Sequence, residues 1–198
     1  MRRRFAPFVL GVAIAFGCHT EPAKTADLKG KKALIIIAKK DYRDEELNEP
    51  RSALEKSGAT VTLACSSLGA ATGMLGGAAE PTALLKDVKA ADYDVVIFVG
   101  GAGATEYFDD PKAHEIAQEA AKDKLLCAIC IAPAILARAG VLKGKKATVF
   151  FSQKGDLKKG GADYTGKAVE VDGNIITAEG PSAARPFANA IIDAMSKK

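Results

Sequence analysis

Short runs of consecutive apolar residues recur along this chain and constrain its fold more than any other feature. Residues 32–38, 94–99 and 125–129 read KALIIIA, DVVIFV and LLCAI, with apolar residues at every central position. A strand that is covered on both faces has such a continuous run, whereas a strand with one exposed face alternates apolar and polar residues. The runs therefore predict central strands of a parallel sheet that is buried on both sides.

Helical patterns separate these strands. Apolar residues at the spacing of a helix turn predict helices at residues 44–57, 111–123, 132–139 and 183–196. Further strands are predicted at residues 59–64 and 146–151, with a short strand pair around Met74 and Pro81. Asp172-Gly173 predicts a hairpin turn between residues 168–172 and 174–177. Strands that alternate with helices indicate an α/β domain with a doubly wound, mainly parallel sheet and helices on both faces.

The N-terminal segment has the pattern of a targeting signal. Arg2 to Arg4 precede an apolar run of 12 residues, which is shorter than the roughly 20 residues of a membrane-spanning helix. Gly17-Cys18 then resembles the lipobox of bacterial lipoproteins. We expect a signal peptide at residues 1–17, a lipid on Cys18, a polar tether at residues 18–30 and one domain at residues 31–198, located in the cell envelope or periplasm. An ordinary cleaved signal peptide is the alternative.

The net charge limits the partners that the chain can have. The formal charge is +4, but removal of residues 1–17 leaves 25 basic and 24 acidic residues, a charge of +1. A domain that binds nucleic acid normally carries a basic patch or stripe. We therefore expect no nucleic-acid partner, and membrane contact only through the N-terminal lipid.

Cys130 stands where a buried strand is predicted to turn into a helix. Such a turn resembles the nucleophile elbow of hydrolases, which exposes the reactive atom at the edge of the sheet, and a helix start favours a thiolate. A small buried residue is the alternative, because cysteine is among the most buried residue types. Cys127 and Cys130 are not expected to pair, since three residues of strand span about 10 Å and a disulfide needs Cα atoms within about 7 Å.

Several motifs together resemble the ThiJ/PfpI superfamily, which includes the parkinsonism-associated deglycase and the PfpI peptidases. In family order, these motifs are DEEL at residues 44–47, DYD at 92–94 with Gly100-Gly101, AICIAP at 128–133 and AGVL at 139–142. The resemblance implies a class I glutamine amidotransferase-like fold, which is a flavodoxin-like three-layer sandwich. It also implies a homodimer, and we expect neither a cofactor nor a metal.

The same resemblance implies a role for individual residues. Cys130 would be the nucleophile, and Glu46 the carboxyl that meets it. Gly100, Gly101 and Ile131 would offer backbone N–H groups to an oxyanion. Glu45 remains an alternative to Glu46 at this point, because the two carboxyls are adjacent in the sequence.

Histidine is missing from the positions where the resemblance would place it. Ile131 follows Cys130 where many hydrolytic members have histidine, and Phe150 stands where the deglycase branch has one. Of the two histidines, His19 falls in the predicted tether and His114 at the rim of the predicted helix 111–123. Acyl transfer normally uses a Cys–His pair, so a PfpI-type cysteine peptidase is disfavoured.

These residues favour chemistry on small carbonyl compounds. We expect a glyoxalase- or deglycase-like activity that depends on Cys130 and not on glutathione, because a thiolate adds to an aldehyde without a histidine. Glu179 stands where some relatives have arginine, which argues against an anionic substrate. The alternative is a non-catalytic envelope protein that senses redox conditions or binds a ligand through the same cysteine.

Overall fold

The computed structural model describes residues 22–197, so the predicted signal peptide and Cys18 lie outside the described residues. The strands are short, and they are β1 (Lys32–Ile36), β2 (Lys40–Tyr42), β3 (Thr60–Cys65), β4 (Ala71–Gly73), β5 (Ala78–Ala79), β6 (Ala83–Leu84), β7 (Val95–Phe98), β8 (Leu125–Ile129), β9 (Lys146–Ala147), β10 (Asp163–Tyr164), β11 (Val169–Asp172) and β12 (Ile175–Ala178). The helices are α1 (Asp44–Lys56), α2 (Pro111–Asp123), α3 (Pro133–Arg138), α4 (Lys154–Lys159) and α5 (Ala184–Met195).

A seven-stranded sheet forms the centre of the domain, in the order β11-β12-β8-β7-β1-β3-β6. Every neighbouring pair is parallel except β11 and β12, which form an antiparallel hairpin at one edge. The continuous apolar runs supply β1, β7 and β8, whose apolar side chains are almost completely buried. The prediction of a doubly wound, mainly parallel sheet is thereby confirmed.

Two groups of helices flank this sheet. α1 packs on α5 and contacts β1 and β3, while α5 also contacts β8 and β12. α2 packs on α3 and contacts β7 and β8. The carboxyl ends of β7 and β8 meet at one edge of the sheet, which is where parallel α/β folds bind ligands. Within the part of the chain that is described, no helix is both long and apolar enough to cross a membrane.

One predicted strand is wrong over most of its length. Residues 146–151 were expected to be extended, but only Lys146–Ala147 pairs, and Phe151–Gln153 forms a 3₁₀ turn before α4, which was not predicted. The cause is a bond outside the sheet, because the Phe150 N–H donates to the Cys130 carbonyl at 2.8 Å. This bond brings Phe150 to the carboxyl edge of the sheet.

The segment before β1 contacts the domain. Asn189 on α5 accepts a hydrogen bond from the Lys24 N–H and donates one to the Pro22 carbonyl. The Ala26 N–H donates to the Ser57 hydroxyl, and Leu28 is almost completely buried. Of the predicted tether at residues 18–30, the part from residue 22 to residue 28 therefore lies along α1 and α5.

Candidate active site

Cys130 occupies a strained turn between β8 and α3. Its φ angle is +63°, a conformation that residues other than glycine rarely adopt. The backbone holds it from two sides, since its N–H donates to the Ala178 carbonyl at 2.9 Å and its carbonyl accepts from Phe150. The side chain is 7% exposed, at the edge of the sheet. This geometry is that of a nucleophile elbow, and strain of this kind is concentrated at functional sites.

Glu46, and not Glu45, is the carboxyl that faces Cys130. Glu46 is completely buried, and its Oε2 accepts a hydrogen bond from the Gly100 N–H at 3.1 Å. Its carboxyl interacts with the Cys130 thiol, and its Oε1 has no hydrogen-bond partner among residues 22–197. Glu45 instead points outward and pairs with Arg43 at 2.8 Å. Glu49 is also turned away, toward Arg185.

The Gly100-Gly101 pair is required by the close packing of three chain segments. A side chain on Gly100 would lie 2.5 Å from Cys130 Cβ and 2.7 Å from Glu46 Oε2. Gly101 has a φ angle of +96°, and a side chain there would collide with backbone atoms of Asp41 and Arg43. The Arg43 N–H also donates to the Gly100 carbonyl at 3.0 Å. Both glycines therefore allow β7 to end directly against the start of α1 and the Cys130 turn.

The predicted oxyanion donors divide into two groups. The Gly100 N–H donates to Glu46 Oε2, whereas it was expected to face an oxyanion. The N–H groups of Gly101 and Ile131 instead point at the Cys130 sulfur. Gly100 thus holds the carboxyl, while the N–H groups of Gly101 and Ile131 lower the pKa of the thiol.

Burial controls the ionisation of both reactive groups. Loss of solvation raises the pKa of Glu46 to about 7, although the Cys130 thiol, the Gly100 N–H and the Arg43 charge oppose this. Burial and then the Glu46 charge raise the pKa of Cys130 to about 12, against the two N–H groups that favour the thiolate. Burial therefore disfavours a charge on either group, and the pKa of Glu46 is the one that lies near neutral pH.

This ionisation differs from the thiolate that was expected from the start of a helix. α3 has only six residues, so its dipole is small, and burial followed by the Glu46 charge raises the pKa of the thiol. The consequence is a change of role for Glu46. With a pKa near neutrality, it is suited to take the thiol proton as a general base during attack.

The cleft above Cys130 has a volume of about 290 Å³ and mainly apolar walls. Arg43, Met74, Phe150 and Pro181 are among its lining residues. Its size fits a molecule of a few heavy atoms, and its walls offer little to hold a peptide in an extended conformation. His114 does not line this cleft, because it is half-buried on α2 and its Nε2 lies 2.8 Å from the Phe108 carbonyl.

One contribution to the cleft was missed from the sequence. Asp44 is buried, and its carboxylate accepts hydrogen bonds from the Leu75 and Gly77 N–H groups, both at 2.8 Å. These bonds fix the turn between β4 and β5, which carries Met74 to the cleft. The signal was present in the sequence, because an acidic residue at a helix start and a Gly-Gly turn make such a cap possible.

A parallel, doubly wound sheet that carries a strained cysteine and a facing buried glutamate defines a nucleophile-elbow protein of the flavodoxin-like class. The model of the DJ-1/PfpI family matches residues 31–194. The chain belongs to the DJ-1/PfpI family.

Named relatives and a solved structure agree with this assignment. An uncharacterized protein of Methanocaldococcus jannaschii is 42% identical over 201 residues, which cover 98% of each chain. The glutathione-independent glyoxalase DJR-1.2 of Caenorhabditis elegans is 29% identical over 83% of this chain and 89% of its own. The deglycase PfpI of Pyrococcus furiosus is 29% identical over 75% of this chain and 90% of its own. The crystal structure of a ThiJ/PfpI domain protein from Brachyspira murdochii superposes with a TM-score of 0.82 at 27% identity, over 88% of this chain and 99% of that one.

Proposed function

We propose that this protein converts small reactive carbonyl compounds by cysteine-dependent and glutathione-independent chemistry, with methylglyoxal as the reference substrate. The observation that carries the proposal is the Cys130 thiol beside a buried Glu46 whose pKa is raised to about 7. Relatives named as a glyoxalase and a deglycase, each about 29% identical, support it. The function is thus assigned to the pair of side chains and not to a Cys–His arrangement.

The first step is addition of the thiol to the aldehyde. The Glu46 carboxylate takes the proton of Cys130 as the sulfur bonds to the aldehyde carbon and the C=O π bond opens. The N–H groups of Gly101 and Ile131 face the sulfur and would stabilise the developing alkoxide. Protonated Glu46 then returns the proton to the oxygen, which gives a neutral hemithioacetal.

The second step moves hydrogen within the bound adduct. Glu46 removes the proton from the carbon bonded to sulfur, and the electron pair forms an enediol with the neighbouring ketone. Return of the proton to the former ketone carbon gives a lactate thioester, and water releases lactate and the thiol. One carbon is oxidised and its neighbour reduced, so no external oxidant or cofactor is needed.

Peptide cleavage is less consistent with this geometry. An amide nitrogen must be protonated as it leaves, a task normally done by a histidine beside the nucleophile. Phe150 lines the cleft where such a residue would stand, and His114 is engaged elsewhere. Conversion of a carbonyl compound that keeps its carbon skeleton needs no protonation of a leaving nitrogen.

The experiment is an assay of purified protein with a panel of aldehydes in the absence of glutathione. We expect methylglyoxal to be consumed with one lactate formed for each molecule lost, whereas a simple monoaldehyde forms only a reversible adduct because it has no neighbouring ketone. Absence of lactate over the whole panel would end the proposal.

A redox-sensing protein is the second candidate, because Cys130 is slightly exposed and two N–H groups point at its sulfur. Under this alternative, peroxide would add roughly 16 or 32 Da to Cys130 as one or two oxygen atoms, without any turnover. Lactate formation distinguishes the two candidates, since a sensor produces none. Selective oxidation without lactate would favour the sensor.

The assembly and location belong to the same proposal. We propose a homodimer that is exported and held at the cell envelope through Cys18, on the basis of the family resemblance and of the charged and apolar N-terminal pattern. Sedimentation velocity measures the oligomeric state. The intact mass of protein from the membrane fraction shows whether Cys18 carries a lipid.

A further inference from the structure

A second pocket adjoins the cleft above Cys130. It has a volume of about 260 Å³, and we call it the aromatic pocket because three of its walls are the rings of Phe150, Phe151 and Tyr164. Phe150 and Pro181 line both the cleft and this pocket. A substrate at Cys130 that extends past these two shared residues would place its neighbouring group in the aromatic pocket.

One acidic residue, Glu179, lines the aromatic pocket. Glu179 directly follows Ala178, whose carbonyl accepts the Cys130 N–H at 2.9 Å, so its backbone is fixed next to the reactive turn. The side chain is half-buried and makes no ion pair with any residue in the range 22–197. The pocket thus has a negative group without a positive partner.

Aromatic rings around a carboxylate form a site suited to an alkylammonium group, because the faces of the rings attract cations. The centroids of Phe150 and Phe151 lie 4.7 Å apart with the rings tilted at 44°, so they form two adjoining walls. The Lys154 ammonium lies 4.9 Å from the centroid of Tyr164, and Lys154 does not line the pocket. That lysine shows that the Tyr164 ring accepts a cation.

The charges of the adjoining cleft do not cancel that of Glu179. The cleft contains the Arg43 guanidinium, but two nitrogens of Arg43 donate to Glu45 at 2.8 Å and 3.0 Å. The positive group at the cleft is therefore compensated by its own partner. Arg43 and Glu179 are the charged residues that line the cleft and the aromatic pocket, and of these two Glu179 is the one without an ion-pair partner among residues 22–197.

We propose that Glu179 and the aromatic pocket select carbonyl substrates that carry a positive charge beside the reactive carbon. The substrate class is an aldehyde or ketoaldehyde with an adjacent ammonium group. This inference rests on the proposed carbonyl chemistry at Cys130 and adds the charge preference to it. Glu179 is a specificity-determining residue in this account, because it contacts the part of the substrate that does not react.

The reaction step used to test this is the reversible addition alone. The thiol of Cys130 adds to an aldehyde, an S–C bond forms as the C=O π bond opens, and the thiol proton reaches the oxygen through Glu46. No electrons leave or enter, so the step needs no further reagent. Occupancy of Cys130 by the aldehyde protects the sulfur from alkylation.

The experiment compares two aldehydes of the same shape and different charge. Betaine aldehyde carries a trimethylammonium group where 3,3-dimethylbutanal carries a tert-butyl group. For each, the concentration that halves the rate of Cys130 alkylation by iodoacetamide is measured by mass spectrometry. The same two aldehydes are titrated against N-acetylcysteine, so that the protective concentrations can be corrected for their different intrinsic reactivity toward a thiol.

After this correction, we expect the cationic aldehyde to protect the wild type at a concentration about tenfold lower than its neutral counterpart. Glu179→Gln should reduce this ratio to about threefold or less, since only the rings then attract the cation. Glu115→Gln makes the same change of charge on α2, where Glu115 pairs with Lys112, and should leave the ratio unchanged.

A corrected ratio near one in the wild type, or a ratio that Glu179→Gln does not change, would overturn the inference. Failure of the proposed function gives a different result. In that case methylglyoxal yields no lactate, while the Glu179-dependent ratio for the two aldehydes is still observed. If lactate is formed but the corrected ratio for the two aldehydes is near one, the proposed function is supported and the charge preference is contradicted.

Discussion

Cys130→Ser should lower the rate of lactate formation from methylglyoxal by at least about 10³-fold, because it removes the atom that bonds to the substrate. Glu46 is placed to take the proton of the Cys130 thiol, whereas the pKa of a serine hydroxyl lies still further above that of Glu46. The residual rate should come from binding and from the N–H groups alone. Far-UV circular dichroism and the unfolding midpoint should change little, since the two side chains differ by one atom.

The matched control for this substitution is Cys65→Ala. Cys65 is completely buried, but it ends β3 and lies near the Tyr107 hydroxyl, and it does not line the cleft. Its replacement should cost some stability while the rate stays within about threefold of the wild type, because it touches neither reactant. A Cys130→Ser protein that retains most of the activity would show that the chemistry occurs elsewhere.

Gly101→Ala should destabilise the domain by about 3–5 kcal/mol, which is a large fraction of the free energy of unfolding of a typical domain. About 1–2 kcal/mol comes from the φ angle of +96°, and the rest from the collision of the new methyl group with the backbone of Asp41 and Arg43. The same collision should displace the N–H group that faces Cys130. Loss of activity is therefore expected even at temperatures where the variant stays folded.

Gly140→Ala separates these two causes. Gly140 has a φ angle of +80°, but a side chain there would meet no atom within 4 Å. Only the conformational cost of about 1–2 kcal/mol should apply, and activity should be unchanged. Urea unfolding of both variants measures the difference. Equal losses of stability in Gly101→Ala and Gly140→Ala would mean that the close packing around Gly101 adds nothing to the destabilisation.

The sequence predicted those elements whose cause is local. Continuous apolar runs identified β1, β7 and β8, and the helix predicted at residues 111–123 agrees with α2 at both ends. The hairpin around Asp172-Gly173 also forms, with Gly173 at a φ angle of +64°. In each case the residues that determine the structure lie within the element or directly beside it.

The remaining features depend on contacts between distant segments. Phe150 belongs to an apolar run that is typical of a strand, yet its N–H bonds to the carbonyl of Cys130, twenty positions away in the sequence. Likewise, no pattern of residues 100–101 reveals that the N–H of Gly100 is used by a glutamate on another element. Pairings of this kind cannot be derived from periodicity.

The choice between Glu45 and Glu46 had a usable signal in the sequence. Glu46, Pro50 and Leu54 are spaced four residues apart, and residues with this spacing share one face of a helix. All three are buried on α1, whereas Glu45 is on another face with Arg43. The raised pKa of the Cys130 thiol could not be predicted, because it depends on the depth of burial and on the direction of both side chains.

The dependence of Cys130 alkylation on pH shows whether Glu46 is the base for the Cys130 thiol. The pKa of Glu46 is raised to about 7, so below that pH the protonated carboxyl cannot take the thiol proton, and above it the carboxylate can. The wild-type rate of alkylation by iodoacetamide should therefore rise through an inflection near pH 7. Glu45→Gln should keep this inflection, because Glu45 faces Arg43 and not the sulfur.

In Glu46→Gln the inflection near pH 7 should disappear, and the rate should rise only toward the pKa of a buried thiol without a carboxylate beside it. The same variant should form lactate about 10²–10⁴-fold more slowly than the wild type, as is typical when a general base is lost. Identical alkylation profiles for the wild type and Glu46→Gln would contradict the account.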